Sequence, residues 1–546
     1  MQISPCAILL VIPEFFQMLM VNVLILFSLL FSTVGQPTAN ISNNKTFQEK
    51  AASIGSNKVI SLYTGHLIKP ISHTLALAQC VALGFICSAL LYYNNSLEYG
   101  LAFGLVCDKL SQIMSIFLCL SGACAIILSS NSLKRFGRYE ILLILWLSAI
   151  GMHSLIKSYS FLALYLSIEL QSLSFYMLTA MRSRNEASSE ASLKYFILSA
   201  FASAMLLLGI TLIYGTIGSQ SIGDLYTVFN HLFETGNTLN TNGSYTGLYV
   251  GIASIIIALL FKLGAAPLHA WIADVYEGSQ TSITAWFAIT AKIAVLTVLI
   301  RLNTPIIWAS LLVFAAATSL IIGSVSAMRQ VKLKRLIAFS AVANAGWFLA
   351  GLAYSQWQYA LLHLVVYTTL SIQLFSVFIL PLSRTHPDLD YQVRHGLLGN
   401  RDQINQRDVV DFAADSNTIK YISDLNQAYK TNPGLAIAIT IGLFSLAGIP
   451  PLAGFYSKYL ILHAISQSES LIILAIALAT AVISAFYYIR VIKTIYFESV
   501  TSAHRKPALF SIRQSWVNAY ITALTTALTL GFFLRPDYIW LWIATI

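Results

Sequence analysis

The sequence predicts an all-α membrane protein with about fourteen transmembrane helices. Of its 546 residues, 57% are hydrophobic and only 10% are charged, whereas a soluble domain carries about 25% charged residues. Apolar stretches near the roughly 20 residues that a membrane helix needs recur along the whole chain. Two of them are long and interrupted by glycine and proline. These observations favour one polytopic membrane domain over a series of soluble domains.

The first apolar span is interpreted as a membrane helix. It reads CAILLVIPEFFQMLMVNVLILFSLLFS, which is too long and too poor in basic residues for a signal or transit peptide. In chain order, the predicted spans cover residues 7–33, 72–93, 108–130, 138–156, 158–181, 190–215, 245–276, 279–300, 303–325, 331–353, 356–382, 432–465, 469–495 and 514–534.

The seventh and twelfth spans are predicted to be broken helices. The seventh contains the segment from Gly264 to Pro267, and the twelfth contains the segment from Gly448 to Gly454, which includes two prolines. Proline lacks a backbone donor and clashes with the preceding helical turn. Both helices should therefore break near the middle of the membrane.

The two broken helices predict two inverted repeats of five helices, spans 4–8 and 9–13, with the break in the fourth helix of each. Transporter folds often contain such repeats, with discontinuous helices that meet near the midplane. Since five is odd, the second repeat starts from the opposite face. The chain is thus divided into four segments. Residues 1–107 contain helices 1–2 and a polar loop at 35–70, and residues 108–325 contain helix 3, the first repeat and helix 9. Residues 326–495 contain the rest of the second repeat and a polar loop at 384–431, and residues 496–546 contain a basic loop and the last helix.

The distribution of basic residues in the loops predicts the orientation. Most of the 32 lysines and arginines follow odd-numbered spans. The loops on the other side carry only Lys109, Lys157, Arg301 and Arg535. The positive-inside rule places the basic loops in the cytoplasm or the mitochondrial matrix, so both termini are expected on the other side.

Five charged residues lie inside the spans, and they are the strongest functional candidates. They are Glu169, Lys194, Lys262, Lys292 and Lys458. A charge at a helix centre costs about 2.5–3.5 kcal/mol on insertion scales, so such residues usually mark ion routes or paired sites. A structural ion pair that fixes helix packing is the competing interpretation.

Glu169 and Lys262 lie at similar depth and could pair. Burial disfavours the charge of a lysine, and a nearby carboxylate restores it, so movement of one partner would switch the proton affinity of the other. Lys292 lies in the middle of span eight and Lys458 follows the break in span twelve. Neither amine can easily reach an interface, and both are expected to carry protons.

Lys194 and His269 are less clearly assigned by the sequence. Lys194 follows the polar segment RSRNEASSEAS, so its stem could instead carry the ammonium to the interface. His269 follows the break in span seven and is a possible proton relay, although membrane histidines also serve as interhelical hydrogen-bond partners. A structural role is favoured for His153 and His363. Glu14 and Asp108, near the outer ends of their spans, are interpreted as interface residues.

Several classes of site are excluded by the sequence. None of the six cysteines has the CxxC spacing of a metal or redox site, and all lie in or beside apolar runs. Phosphate loops and dinucleotide fingerprints are absent, so no cofactor is expected on this chain. Nucleic acid is not an expected partner, because the basic residues are dispersed among loops.

The segments that carry the buried charges resemble the subunit 2 family of respiratory NADH:ubiquinone oxidoreductase, complex I. They read YLSIELQSLSFYML, EASLKYFILSAFASAMLLLGITLIYG, LFKLGAAPLHAWIADVYEGS, AKIAVL, VKLKRLIAFSAVANAGW and FSLAGIPPLAGFYSKYLIL. They cover roughly residues 100–380 and 430–495, in order, and the ELQSLSFY form is closer to this family than to the sister antiporter-like subunits.

The resemblance implies a fourteen-helix antiporter-like fold and a proton-translocating role in the mitochondrial inner membrane. It implies that NADH, FMN, iron–sulfur clusters and ubiquinone are bound by partner subunits, and that the other membrane-arm subunits and the bilayer are the partners. The family's charged positions in helices five, six, seven, eight and twelve fall on Glu169, Lys194, Lys262, Lys292 and Lys458.

The chain departs from the family pattern in its longer polar segment at 35–70, in an insertion near 385–418, and in Gln280, where proline is frequent. Two alternatives stay open. One is a cation/proton antiporter subunit of the multi-subunit type, and the other is a structural membrane-arm subunit without an active channel.

Overall fold

The computed structural model describes the following parts of the chain: residues 13, 16–24, 81–90, 100–102, 104–136, 140–182, 185–234, 246–302, 309–380, 419–468, 470–498 and 516–534. Almost all of these residues are helical.

Nineteen helices are distinguished in these ranges. They are α1 (16–24), α2 (Val81–Leu90), α3 (Lys109–Phe136), α4 (Glu140–Lys157), α5 (Phe161–Ala180), α6 (Glu186–Ile217), α7 (Ile222–Glu234), α8 (Thr246–Leu263), α9 (Ala270–Gly278), α10 (Thr281–Ile289), α11 (Ala291–Arg301), α12 (Ala309–Met328), α13 (Leu333–Ala353), α14 (Trp357–Phe378), α15 (Ala428–Thr431), α16 (Pro433–Ala447), α17 (Ala453–Gln467), α18 (Leu471–Tyr496) and α19 (Trp516–Leu534). A 3₁₀ helix, Ile422–Leu425, precedes α15.

The all-α polytopic class is confirmed. In the described part of the chain, ten helices are long and apolar enough to cross a membrane, with α10 and α11 counted as one. The predicted first, second, twelfth and fourteenth spans contain shorter apolar helices. The count of fourteen therefore stays a prediction.

Both predicted breaks lie where the glycines and prolines occur. Helix α8 is followed by Gly264 at φ +78°, and α16 is followed by Gly448 at φ +86°. Glycine is favoured here because a Cβ atom makes the left-handed conformation costly. The residue after each glycine donates to a carbonyl five positions back, Leu260 or Phe444, so the two half-helices end in the same way.

Three features were not predicted from the sequence. Strands β1 (Gly100–Ala102) and β2 (Leu105–Cys107) form an antiparallel pair, and three residues are too few to show an alternating pattern. Helix α7 lies in the connection between α6 and α8 and buries Ile222 and Leu225 on one side. Span eight is divided at Thr290, which separates α10 from α11.

The helices differ widely in burial, and the difference separates the centre of the protein from its edge. Buried residues make up 89% of the apolar window in Thr281–Arg301, 89% in α13 and 94% in α14, but 28% in α6 and 33% in α18. The first three therefore form the centre of the bundle, and α6 and α18 lie at its periphery.

Ion pairs define the two ends of the bundle. At one end, Arg301 Nη2 lies 2.6 Å from Asp108 Oδ1, and Arg301 Nη1 donates to the Ser158 carbonyl at 3.1 Å. At the other end, called the basic face, Lys332 and Arg335 at the start of α13 pair with acidic residues of α9. Asp108 is thus an ion-pair partner that joins α3 to α11.

Candidate functional site

Glu169 and Lys262 lie near each other at the side of the bundle formed by α5, α6 and α8. Glu169 is partly buried and interacts electrostatically with Lys262. Lys262 Nζ donates to Ser199 Oγ of α6 at 2.5 Å. Among the described residues, the buried Glu169 Oε1 has no hydrogen-bond partner. The Lys262 amine is thus hydrogen-bonded to a hydroxyl, and the Glu169 carboxylate acts on it through its charge.

Tyr176 connects this pair to neighbouring hydroxyls. Its phenol interacts with Ser199, Ser172 and the carboxylate of Glu169. Ser199 in turn accepts from Lys262. A polar contact chain therefore joins α5, α6 and α8.

A cavity lies between Lys262 and Lys292, and we call it the Lys262–Lys292 cavity. Its walls include the polar residues Gln171 and Ser172 and the aromatic residues of α6, α9 and α10. It offers about 20 Å³ to the centre of a water molecule, which is enough for about one water. Both lysines line this space, so one ordered water could connect them.

Lys292 is at the centre of the bundle. Its Nζ lies 3.0 Å from the Ala341 carbonyl of α13 and 3.1 Å from the Tyr367 hydroxyl of α14. The same nitrogen is 4.3 Å from the centroid of the Tyr367 ring, a cation–π distance. The side chain belongs to a residue only 4% exposed, and no carboxylate is among these contacts.

His363 lies between Lys292 and Lys458. The imidazole interacts electrostatically with both lysines, and its Nδ1 is 3.0 Å from Ser457 Oγ, next to Lys458 in α17. The ring packs against Phe348, with centroids 5.0 Å apart. The sequence had favoured a structural role for this histidine, whereas the structure places it beside two of the candidate lysines.

Lys458 binds the end of the half-helix that precedes its own. Its Nζ donates to the carbonyls of Leu446 at 2.6 Å and Ala447 at 3.3 Å, the last residues of α16. The carbonyls at a helix C-terminus lack intrahelical donors and carry partial negative charge. The break in span twelve thus supplies the acceptors for a buried ammonium. The centroid of the Trp347 ring lies 5.7 Å from the same nitrogen.

A second space extends from Tyr367 toward the basic face. It is lined by Ser340 and Tyr488, whose oxygens are 2.5 Å apart, and by apolar residues that include Leu333 near the start of α13 and Phe378 at the end of α14. It also offers about 20 Å³ to a water centre. Tyr367 lines this space and also contacts Lys292, so the space approaches Lys292 from helices of the second predicted repeat.

Lys194 and His269 lie apart from the buried lysines. The Lys194 side chain is 45% exposed, and its Nζ pairs with Glu190 at 2.7 Å and with Asp274 at 3.0 Å. His269 is partly buried at the start of α9, with Nδ1 3.2 Å from the Pro267 carbonyl and its ring near Phe339. The geometry of Lys194 is that of a lysine whose amine reaches the rim.

Three groups of the site have no distinctive signal in the sequence. Tyr367 and Ser199 were missed because hydroxyl residues are common in apolar spans. The carbonyls of α16 carry no side-chain signal, although the predicted break at Gly448 implied free carbonyls nearby. Within the described ranges, no group of three or more His, Cys, Asp or Glu residues could hold a metal ion.

The arrangement is suited to moving protons. Glu169, Lys262, Lys292, His363 and Lys458 follow one another from the side of the bundle into its centre. Each is linked to the next by an electrostatic contact, a water-sized cavity or a hydroxyl. Buried amines held mainly by neutral acceptors can gain and lose protons when their surroundings shift.

A family model matches more than half of the chain, and known relatives match most of it. The model described as "NADH:quinone oxidoreductase/Mrp antiporter, TM" matches residues 158–405 and 408–484. The chain is 32% identical over 498 residues to NADH-ubiquinone oxidoreductase chain 2 of Marchantia polymorpha, covering 89% of this chain and 88% of the relative. It is 34% identical to NADH-quinone oxidoreductase subunit N of Pelagibacter ubique, covering 86% and 91%.

The fold is similar to that of a chain in the solved structure of respiratory complex I from Thermus thermophilus. The superposition has a TM-score of 0.66 and covers 86% of this chain and 97% of that one. The sequence identity is 23%, so this likeness concerns the fold alone.

Proposed function

Since the chain belongs to the NADH:quinone oxidoreductase/Mrp antiporter transmembrane family, we propose that Glu169, Lys262, Lys292 and Lys458 carry the protons that this chain moves across the membrane. The chain is a proton-translocating, antiporter-like membrane-arm subunit of the complex I type. It assembles with other membrane-arm subunits as part of an NADH-quinone oxidoreductase.

One observation carries the assignment of these residues. Glu169, Lys262, Lys292 and Lys458 lie on four different helices, α5, α8, α11 and α17, and Lys262 and Lys292 line the same water-sized cavity. A protein that needed these charges for packing alone would be expected to pair each with a carboxylate. Lys292 and Lys458 instead bind carbonyls and a tyrosine hydroxyl.

The pair of Glu169 and Lys262 acts as the switch. When the two approach, the carboxylate stabilises the ammonium, and when they separate, burial favours release of the proton. Movement of Glu169, driven by a neighbouring subunit, would thus load or unload Lys262. The proton released by Lys262 then passes through the Lys262–Lys292 cavity to Lys292.

Lys292 acts as the central relay, and His363 connects it to Lys458. Lys458 exchanges protons with the outer half-channel or with the adjacent subunit. Its acceptors belong to the C-terminus of α16, so a small displacement of α16 from α17 would change the stabilisation of its charge. His269, at the start of α9, is kept as a possible relay at the break.

The fourteen-helix arrangement with inverted repeats, spans 4–8 and 9–13, and its four-segment division along the chain belong to this proposal. Matching glycines end the first half of each broken helix, at Gly264 and Gly448, and a proline follows each at the third position. The similar termination of α8 and α16 supports the repeat.

The location proposed is the mitochondrial inner membrane, as the relative from Marchantia polymorpha suggests for this multi-pass chain. The basic face would then lie in the matrix and both termini in the intermembrane space. Redox chemistry with NADH, FMN, iron–sulfur clusters and ubiquinone takes place on partner subunits, and this chain responds to changes passed along the membrane arm.

The function is tested by partner identification and by proton counting. Membranes are solubilised gently, the chain is purified with its partners, and these are identified by mass spectrometry. Flavin and iron–sulfur subunits are expected, together with proton uptake into liposomes that depends on NADH oxidation. Purification without redox subunits, with cation-dependent proton exchange, would favour the multi-subunit antiporter instead.

A further inference from the structure

Asp274 occupies the position in the first broken helix that Lys458 occupies in the second. Gly264 and Gly448 end the first halves of these helices, and Pro267 and Pro451 follow each glycine at the same spacing. Counted from these glycines, Asp274 and Lys458 are both tenth. The two half-helices α9 and α17 thus carry opposite charges at matching positions.

The two charges point to different surroundings. Lys458 faces the interior and binds carbonyls of α16. Asp274 faces the rim, where Oδ2 lies 3.0 Å from Lys194 of α6 and Oδ1 lies 2.7 Å from Arg335 of α13. Asp274 therefore joins helices of the first predicted repeat to the first turn of a helix in the second.

Glu277, one turn further along α9, adds to the same contacts. Its Oε2 lies 2.5 Å from Arg335 Nε, and Lys332 pairs with its other oxygen. Three cations on two helices thus hold two carboxylates of one nine-residue helix. We call these five residues the rim cluster: Lys194, Asp274, Glu277, Lys332 and Arg335.

The other side of α9 forms a wall of the Lys262–Lys292 cavity. Trp271, Ile272 and Tyr276 all line this cavity. Asp274 lies between Ile272 and Tyr276 in the sequence, and Glu277 follows Tyr276. Both carboxylates face the cations instead of the cavity. The half-helix is therefore placed between the two lysines and the basic face.

The position of α9 depends strongly on side-chain contacts. The break between α8 and α9 interrupts the backbone hydrogen-bond ladder, so the half-helix is not held as a continuation of α8. Trp271 Nε1 donates to the Phe261 carbonyl at 3.0 Å and bridges the break. The rim cluster attaches α9 to α6 and α13, and Lys334 Nζ of α13 donates to the carbonyl of Ser279, at the end of α9, at 2.8 Å.

We infer that Asp274 is a positioning residue whose ion pairs with Lys194 and Arg335 hold the half-helix Ala270–Gly278 closed over the Lys262–Lys292 cavity on its basic-face side. Release of these pairs lets α9 move and opens the cavity to protons from that face. The inference rests on the proposed function, because it assigns a role to access to Lys262 and Lys292.

The exposure of the rim cluster suits a reversible closure. The side chains of Asp274 and Arg335 are 30% and 38% exposed. Ion pairs at such exposure contribute little each and are weakened by salt, so they can open without unfolding the bundle. Elements that move are drawn from the parts of a protein with low local stability.

The inference is tested by the accessibility of a cavity residue. Ile272 is 2% exposed and lines the cavity, so Ile272→Cys serves as the reporter in the assembled complex. Inverted membrane vesicles are treated from the basic face with a membrane-impermeant, positively charged thiol reagent. The parent complex without Ile272→Cys gives the background from the native cysteines.

Asp274→Asn is combined with the reporter, and two variants are matched controls. Asp274→Glu keeps the carboxylate. Glu190→Gln removes a carboxylate that also pairs with Lys194, but on the same helix, so no link to α9 is lost. We expect Asp274→Asn to raise the labelling rate about fivefold or more, because the change removes the ion pairs of α9 with both Lys194 and Arg335 at once. Both controls should label at the rate of the reporter alone.

Equal labelling rates with and without the Asp274→Asn change, in an assembled, NADH-oxidising complex, would overturn the inference. Faster labelling in Glu190→Gln to the same extent would overturn it too, because that change breaks no contact of α9. Faster labelling in Asp274→Asn with unchanged proton pumping would support the closure and contradict the proposed proton route, so the two failures are distinguishable.

Discussion

Lys292 and Tyr367 meet at the centre of the bundle, where the Nζ of the lysine lies 3.1 Å from the tyrosine hydroxyl and 4.3 Å from the centroid of its ring. Lys292 belongs to the first predicted repeat and Tyr367 to the second. The tyrosine can accept a hydrogen bond from the ammonium and can donate one to the free amine. The contact therefore suits both protonation states of the lysine.

Replacement of Tyr367 by Phe should slow proton pumping without abolishing it. The ring and its cation–π contact stay, and the Ala341 carbonyl still accepts from Lys292. The lost hydrogen bond to a charged group is worth about 1.5–3 kcal/mol, so Lys292 loses a partner in each protonation state and proton transfer through it should slow. Proton uptake by liposomes during NADH oxidation measures this, and Tyr496→Phe, at the end of α18 and stacked on Tyr429, is the control.

Replacement of Glu169 by Gln should uncouple electron transfer from proton pumping by this chain. The amide keeps the side-chain volume but removes the charge that Lys262 interacts with. Lys262 then loses its switching partner, so the number of protons moved per electron should fall while assembly is preserved. Glu140→Gln, an exposed glutamate at the start of α4, should leave the ratio unchanged. A normal ratio in Glu169→Gln would refute the switching pair.

Replacement of Gly448 by Ala should destabilise the break in span twelve. The residue has φ +86°, and an added Cβ would lie 3.2 Å from Lys458 Cδ. The left-handed conformation costs a residue with a Cβ about 1–2 kcal/mol. Heat inactivation of the complex should therefore begin at a lower temperature. Gly215→Ala meets no atom within 4 Å in its helix and should be neutral or slightly stabilising.

Replacement of Asp108 by Asn should lower stability and leave the proton ratio unchanged. Arg301 has a side chain only 9% exposed, and the Asp108 carboxylate is its partner at 2.6 Å. Loss of a charge-assisted hydrogen bond at this burial should cost about 1–3 kcal/mol. The amount of assembled complex on a native gel reports the loss, with the exposed Asp224→Asn as control. A changed proton ratio would contradict the structural role of Asp108.

The sequence predicts much of the fold because span length and the positions of glycine and proline indicate the same arrangement of helices. Apolar spans of membrane length mark the helices, and Gly264 and Gly448 with their following prolines mark the breaks. The division at Thr290 could not be predicted, since Ala, Thr and Lys in that segment are compatible with a continuous helix. Helices α10 and α11 both pack against α3, and α11 also packs against α4, contacts that the local sequence does not show.

The candidate site was predicted as a set of residues but not as a set of contacts. The cost of a buried charge singles out Glu169 and Lys292 from the sequence alone. The acceptors of Lys458 are backbone carbonyls, which every residue has, so no residue type signals them. The role of Asp274 depends on its distance to Arg335, sixty-one positions away in the chain, and only the fold brings the two together.

Lys292→Met tests the central claim most directly. Methionine has a similar length and no charge, so it removes the central relay while filling its space. The ratio of protons to electrons is measured in liposomes that contain the assembled complex, with Lys493→Met, a 64% exposed lysine on α18, as control. We expect a lower ratio in Lys292→Met and an unchanged ratio in the control. An unchanged ratio in fully assembled Lys292→Met would contradict the relay role of this lysine.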